Sequence, residues 1–344
     1  MKKYILMLAV AFAAVFSSCT NDEIPVQQST VIKVNPSTIM KNFTYQLNAG
    51  DLDGVDEDEN IRVRLYGYNE AGVLCFKEEQ SIHNYLTLAT FEISLKEEEM
   101  FKAVVIVDVT NDDPKKVSEY WTVKDEQSLS TLKVEYLAAG KLVYGTQEIL
   151  GISTADINSG ENTTINVESA GALVLTYMGN LKAYSNVYSG MVFGTRGNGF
   201  YGFNENGQID SNPNLEDNPY FAVFNNENTR NAFYTYKFLM PQTNYMIYAG
   251  FSDSQQNVIA VDAIEGITIK QGEEYLLMVV LDPNDDGSGT WSFDMHDVTG
   301  MVYGRSSVGN MESEIDVCQQ KSSESRQKDE GVYLVKDLIK NKYE

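Results

Sequence analysis

Ile61-Arg62-Val63-Arg64-Leu65-Tyr66, then Asn69-Glu70-Ala71-Gly72, then Val73-Leu74-Cys75-Phe76: apolar and polar residues alternate, a turn follows, and a second run returns. A period of two is the mark of a half-buried strand, with one face on a core and the other in solvent. The Asn–Gly turn between the runs makes the pair a hairpin. Downstream, Leu86-Thr87-Leu88-Ala89-Thr90-Phe91-Glu92-Ile93-Ser94-Leu95 repeats the alternation. Phe101 to Val109 is almost wholly apolar and β-branched, as in a strand covered on both faces. Asp112-Asp113-Pro114 ends it. Val117 to Lys124 reads as a short helix or an irregular crossing, with Trp121 plugging the first core, and Leu129 to Leu137 fits a strand or a short helix.

Beyond Ala138-Ala139-Gly140 short strands recur: Thr163–Val167, Ala172–Met178, Phe221–Phe224, Phe233–Leu239, Tyr245–Phe251, Val258–Val261, Ile264–Ile269, Tyr275–Leu281 and Thr290–Met295. Many short strands joined by Gly-, Asn- and Asp-rich turns, without helical periodicity, indicate all-β sandwich domains. The expected layout is a signal peptide over 1–18, a tether over 19–30, one β-sandwich over 31–137, a second over 138–304, and a charged tail over 305–344. In the tail, Val332, Val335, Leu338 and Ile339 fall on one helical face. Lys141-Leu142-Val143-Tyr144-Gly145 is echoed by Gly300-Met301-Val302-Tyr303-Gly304, an echo that chance explains equally well.

The 344 residues carry 26 Lys and Arg against 49 Asp and Glu, a formal net charge of -23. That balance argues against nucleic acid and against docking on an anionic bilayer, both of which need clustered cations. With 2 His, a His-rich metal site is excluded, and any nucleophile–His pair would have to use His83 or His296, neither of which has a motif around it. No CxxC pair is present; Cys75 and Cys318 read as separate thiols. The expectation is a non-enzymatic chain with no cofactor and no metal.

The first residues carry the most specific signal. Lys2 and Lys3 precede a short apolar run, Tyr4 to Phe16, too short to span a bilayer. Val15-Phe16-Ser17-Ser18-Cys19 then looks like a bacterial lipobox, which makes Cys19 the acylated N-terminus of the mature chain. Two or three acyl chains, at about 0.8 kcal/mol per buried CH2, make a stable anchor. Asp22 and Glu23 follow and resemble the surface-export signal of Bacteroidetes lipoproteins, which implies a lipid-anchored, surface-exposed outer-membrane location.

Other clusters have plainer readings. Asp51, Asp53, Asp56, Glu57, Asp58 and Glu59 suit a hard cation or a solvated loop. Asp282, Asn284, Asp286 and Gly287 begin like a calcium loop, but its twelfth position is Phe293, and a turn between strands fits better. Gly194, Gly197, Gly199 and Gly202 lack the phosphate-loop pattern and point to turns and close backbone approach. Tyr184, Tyr188, Tyr201, Tyr220 and Phe224 are candidates for a sugar or protein contact, or for core. No acid among the 49 is picked out by its setting as one of a catalytic pair.

Residues 61–72, with Phe101-Lys102-Ala103-Val104-Val105-Ile106-Val107-Asp108, Leu142-Val143-Tyr144-Gly145 and Ala170-Gly171-Ala172-Leu173-Val174, resemble motifs of the fimbrillin-associated anchor and tip lipoproteins of Bacteroidetes (type V) pili. The resemblance spans about residues 19–300. It implies two transthyretin-like, immunoglobulin-like β-sandwiches lipidated at Cys19, with fimbrial subunits as partners by strand exchange. In such pili a protease cut after a basic residue opens a groove in stalk subunits, whereas anchors stay uncut. No Arg lies between Cys19 and Arg62, which favours the anchor role, while Lys33 and Lys41 leave a Lys-specific cut open. Thr299, Met301 and Tyr303 would lie on the donor strand, though the tail beyond them has no place in that pattern. The function implied is anchoring or capping a pilus, or adhesion to a host glycan or protein. The alternative is a glycan-binding lipoprotein beside a polysaccharide importer, for which the 2 Trp, Trp121 and Trp291, supply few platforms.

Overall fold

The computed structural model describes residues 27–41, 43, 59–96, 99–113, 117–138, 146–179, 188–225, 233–255, 258–283 and 289–299. Among these the chain is all-β, with two short 3-10 turns, Pro36–Met40 and Thr146–Glu148. Its strands form five sheets. Sheet one runs β4 (Ala89–Lys96), β1 (Gln27–Asn35), β9 (Thr163–Asn166). Sheet two runs β3 (Leu74–Ile82), β2 (Glu59–Tyr68), β5 (Met100–Asn111), β8 (Leu150–Asn158). Sheet three runs β13 (Ile209–Asn214), β12 (Gly197–Phe203), β7 (Lys133–Tyr136), β6 (Trp121–Lys124). Sheet four runs β15 (Phe233–Leu239), β10 (Ala172–Gly179), β18 (Glu274–Pro283), β19 (Gly289–Asp297). Sheet five runs β14 (Tyr220–Asn225), β11 (Ser189–Gly194), β16 (Gln242–Ser252), β17 (Val258–Ile269).

Side-chain alternation explains the layering. In β4, Ala89, Phe91, Ile93 and Leu95 are buried while the residues between them are exposed, so sheet one has one core face. β2 and β5 are central in sheet two and are buried on both faces. One face carries Ile61, Val63 and Leu65 with Val105 and Val107, in one core with Ile32, Val34 and Phe91 of sheet one. The opposite face carries Arg62, Arg64, Tyr66 and Tyr68 and meets the sheet-three side, where Tyr68 donates to the Glu126 carbonyl at 3.0 Å. This is why Phe101 to Val109 lacks alternation: β5 is the middle of three layers.

Trp121 is fully buried, as its reading as a core plug requires. Its Nε1–H donates to the Glu148 carbonyl at 2.7 Å, and its ring lies 4.9 Å from Tyr136, 5.7 Å from Tyr201 and 6.1 Å from Phe238. The segment around it is strand β6, and β7 resolves the ambiguity over 129–137 as a strand. Strands of four residues are too short to display a period.

Three pairings cross the break expected at Ala138. β8 joins sheet two through Met100↔Asn158 to Asp108↔Leu150, and β9 runs parallel to β1 from Ile32↔Thr163 to Asn35↔Asn166. Sheet three also joins β7 to β12 across that point. At the other end, Gln27 to Thr30, polar enough to read as tether, are the first residues of β1 and pair with Lys96 to Ile93. Main-chain pairing is indifferent to side-chain polarity, so neither composition shift marks a sheet boundary. The second core lies between sheets four and five, with Val174, Leu277 and Val279 on one side and Val192, Ile247, Ala249 and Phe251 on the other.

The glycine-rich stretch is strand, β11 and β12, rather than a series of turns. Its glycines serve close approach: a Cβ on Gly199 would sit 2.1 Å from the Asn212 carbonyl oxygen.

Candidate functional surfaces

Cys19, Asp22, Glu23, Met301 and Tyr303 lie outside the described residues, as do Cys318, the tail and all of the acidic run except Glu59. Glu59 is not a loop carboxylate. It is buried at the start of β2 and accepts from Gln147 Nε2 and, at 3.4 Å, from Asn111 Nδ2. Thr299 follows β19 and is held to the start of β18: its Oγ1 accepts from Glu274 N–H at 2.9 Å and donates to Asp297 Oδ1 at 2.6 Å. Cys75 is an exposed free thiol and His83 is exposed. Among the described residues no three His, Cys, Asp or Glu side chains are grouped to hold a metal.

The first described strand is embedded. β1 is the middle strand of sheet one, paired on one side with β4 from Gln27↔Lys96 to Val34↔Ala89 and on the other with β9. Ile32, Val34 and Thr30 are fully buried, and Thr30 Oγ1 accepts from Gly160 N–H at 2.9 Å. Asn35 ends the strand and caps the 3-10 turn, accepting from Ser37 Oγ at 2.7 Å. Thr38 Oγ1 then donates to the Val167 carbonyl at 2.6 Å, and Ile39, Met40 and Phe43 fill the core behind it. A cavity of about 730 Å3 opens beside the entry of β1, lined by Gln27, Cys75, Phe76, Leu95, Met100 and Phe101 among others.

Arg62 and Arg64 of β2 are locked into the same layers. Arg62 makes a bidentate pair with Asp108, Nε to Oδ1 at 3.1 Å and Nη2 to Oδ2 at 2.7 Å, and its Nη1 lies 2.9 Å from Glu119. Arg64 Nη2 lies 3.0 Å from Asp108 Oδ1, a close ion contact. Asp108 is fully buried between them.

The tyrosine candidates separate. Tyr201 is core, its hydroxyl donating to the Ala170 carbonyl at 2.9 Å. Tyr220 is exposed on the outer face of sheet five. There it joins two aromatics absent from the sequence-based set: Phe193 stacks on Tyr248 with centroids 5.3 Å apart and lies 6.4 Å from Tyr220. All three are cross-strand partners, and Met191 and Val223, also paired and exposed, extend the patch. The signal was available in β16, where Tyr245, Ile247, Ala249 and Phe251 point inward and therefore turn Tyr248 outward.

A buried polar group joins three sheets. Lys237 of β15 and Glu148, just before β8, are both buried, with Nζ 2.7 Å from Oε1. Tyr136 of β7 donates its hydroxyl to Glu148 Oε1 and accepts from Lys237 Nζ at 3.3 Å, and Phe238 N–H lies 3.3 Å from Oε2. Burial pushes the Glu148 carboxyl above its ordinary pKa, and the Lys237 ammonium and Phe238 N–H oppose that rise.

No family model matches the sequence, and no curated protein matches it. Solved structures do. The fimbrial anchor protein Mfa2 from Porphyromonas gingivalis is similar at 10% identity and a TM-score of 0.44, covering 80% of this chain and 100% of that one. The tip fimbrial protein Mfa3 from the same organism, in a C-terminally truncated form, is similar at 8% identity and a TM-score of 0.44, covering 79% and 100%. A candidate polysaccharide-binding protein from Bacteroides thetaiotaomicron is similar at 10% identity and a TM-score of 0.46, covering 78% and 98%. The structures it resembles include fimbrial proteins.

Proposed function

We propose that the chain is an outer-membrane surface lipoprotein of fimbrial type, which anchors or caps a pilus or mediates adhesion and assembles with fimbrial subunits by β-strand addition. The observation that carries this reading is the position of β1. Cys19, the expected lipid site, stands eight residues before Gln27, and β1 is the middle strand of sheet one. Those eight residues reach at most about 28 Å, so a pull against the lipid enters the sheet almost directly. Such a pull loads the ladders to β4 and β9 along the strand, and many main-chain hydrogen bonds share it. A chain built to bear load between a bilayer and a fibre needs that arrangement.

Uncut maturation fits the same reading. Arg62 and Arg64 are held against buried Asp108 in a strand paired on both sides, so they offer no unpaired, accessible segment to an arginine-specific protease. Donation of a C-terminal strand over Thr299, Met301 and Tyr303 is the expected link to the next subunit, and main-chain pairing supplies its affinity.

Cys19→Ser tests the anchor. The variant is expected to leave the membrane fraction and appear, folded, in the periplasm or medium, with fibres shed from cells. Acyl label retained by the variant, or membrane retention without label, rejects the reading.

The aromatic patch favours a second reading, glycan binding by the outer face of sheet five. Tyr248→Ala would then abolish retardation in glycan-containing gels without shifting the unfolding midpoint. If wild type migrates identically with and without every glycan tried, this reading is lost.

A further inference from the structure

We propose that Lys237 and Glu148 become joined by an intramolecular amide, Nζ to Cδ, formed by the folded chain itself. The inference is independent of the anchoring role. The amine and the carboxyl are already in contact, Nζ to Oε1 at 2.7 Å, and both side chains are almost wholly shielded from water. Holding two reactants in such contact replaces a bimolecular encounter with an intramolecular one. The surroundings are aromatic: Trp121, Tyr136 and Phe238 lie around the junction, and Nζ is 5.6 Å from the centre of the Tyr136 ring. An ion pair in such a setting loses the hydration that normally keeps both partners charged. Passing one proton from the ammonium to the carboxylate gives a neutral amine and a neutral acid, the forms that condense. Burial pushes Glu148 in that direction.

The neighbouring groups fit the steps. The Nζ lone pair attacks Cδ, and the carbonyl π pair moves onto Oε2, where the Phe238 N–H at 3.3 Å receives the developing charge. Tyr136 touches both reacting atoms, Glu148 Oε1 and Lys237 Nζ. Its hydroxyl gives a proton to Oε1 and takes one back from Nζ. The Cδ–Oε1 bond then breaks and Oε1 leaves as water. One C–N bond forms, one C–O bond breaks, one water is released, and nothing is oxidised or reduced. Escape of that water from an apolar interior opposes the reverse hydrolysis.

The bond would tie the turn before β8 of sheet two to β15 of sheet four, beside β7 of sheet three. A junction otherwise held by packing and a buried ion pair would become covalent and would resist pulling.

Peptide mapping of the full purified chain after denaturation and complete proteolysis is the test. A branched peptide linking Glu148 to Lys237, lighter by one water than its two parts, is the expected result. Lys237→Arg should yield only the linear peptides, and Tyr136→Phe should yield the branched peptide more slowly or in lower proportion. Quantitative recovery of both linear peptides from wild type overturns the proposal and leaves a simple buried ion pair. A dehydration mapped to any other residue overturns it equally.

Discussion

Asp108→Ala is expected to lower the stability of the core shared by sheets one to three by about 3–5 kcal/mol, because it strands two guanidinium groups in the interior. Asp108 is fully buried between sheets two and three, and it is the shared ion partner of Arg62 and Arg64. Glu119 reaches only Arg62, and it lies nearer the surface. Arg62 also donates to the Trp121 carbonyl at 3.1 Å, which couples the ion cluster to the core plug. Removing the carboxylate therefore removes the charge balance of the cluster without removing either cation. Urea unfolding followed by tryptophan fluorescence should show the midpoint fall with little change in slope. A control separates charge from volume. Replacing the whole cluster, as Arg62→Met, Arg64→Met and Asp108→Leu together, should recover most of the loss, since apolar groups of similar size often match or exceed a buried ion cluster. If Asp108→Ala unfolds at the wild-type midpoint, the cluster is hydrated and the three-layer description of sheet two is wrong.

The same cluster shows what was legible in the sequence. Ile61, Val63 and Leu65 announced a strand with one core face, and that face is where it should be. Arg62 and Arg64 suggested the opposite face was solvated, yet it is covered by a third sheet. The clue lay one strand away: Val104 and Ile106 are apolar on that face, and Asp108 is the lone acid there to meet the arginines. A period-two pattern reports how a strand divides its faces, not what covers each. The junction between sheets was less legible still. Lys237 is the one charged residue of β15, and its partner Glu148 is 89 positions earlier, in a segment without a pattern. Tyr248 was hidden for a different reason: an apolar strand read as core distracts from its outward-facing members. The leader, by contrast, is a local signal. A lipobox at Cys19, as proposed, would be read as linear sequence, so proposing it needs no fold.

A chain shortened to begin at Lys41 is expected to lose the cooperative unfolding of the core shared by sheets one to three. β1 is the middle strand of sheet one, so its removal leaves β4 and β9 without a strand partner in that sheet. It also removes Ile32, Val34, Ile39 and Met40 from the core and uncovers Phe91 and Ile165. At roughly 1.5–3 kcal/mol for each fully buried large apolar side chain, the four lost residues alone contribute about 6–12 kcal/mol as an upper estimate. A typical domain has only about 5–15 kcal/mol in total. The truncated chain should therefore be soluble only with a replacement strand, and otherwise self-associate through the vacant position. A synthetic peptide of residues 27–40, added in trans, should bind it, restore a cooperative transition and suppress association. A peptide with Ile32→Asp and Val34→Asp should fail, since its main chain is intact but its core face is not. This contrast separates strand addition driven by both pairing and burial from adhesion to an exposed edge. Should the shortened chain unfold at the full-length midpoint, β1 does not hold sheet one together. A pull on Cys19 would then not be carried by the fold.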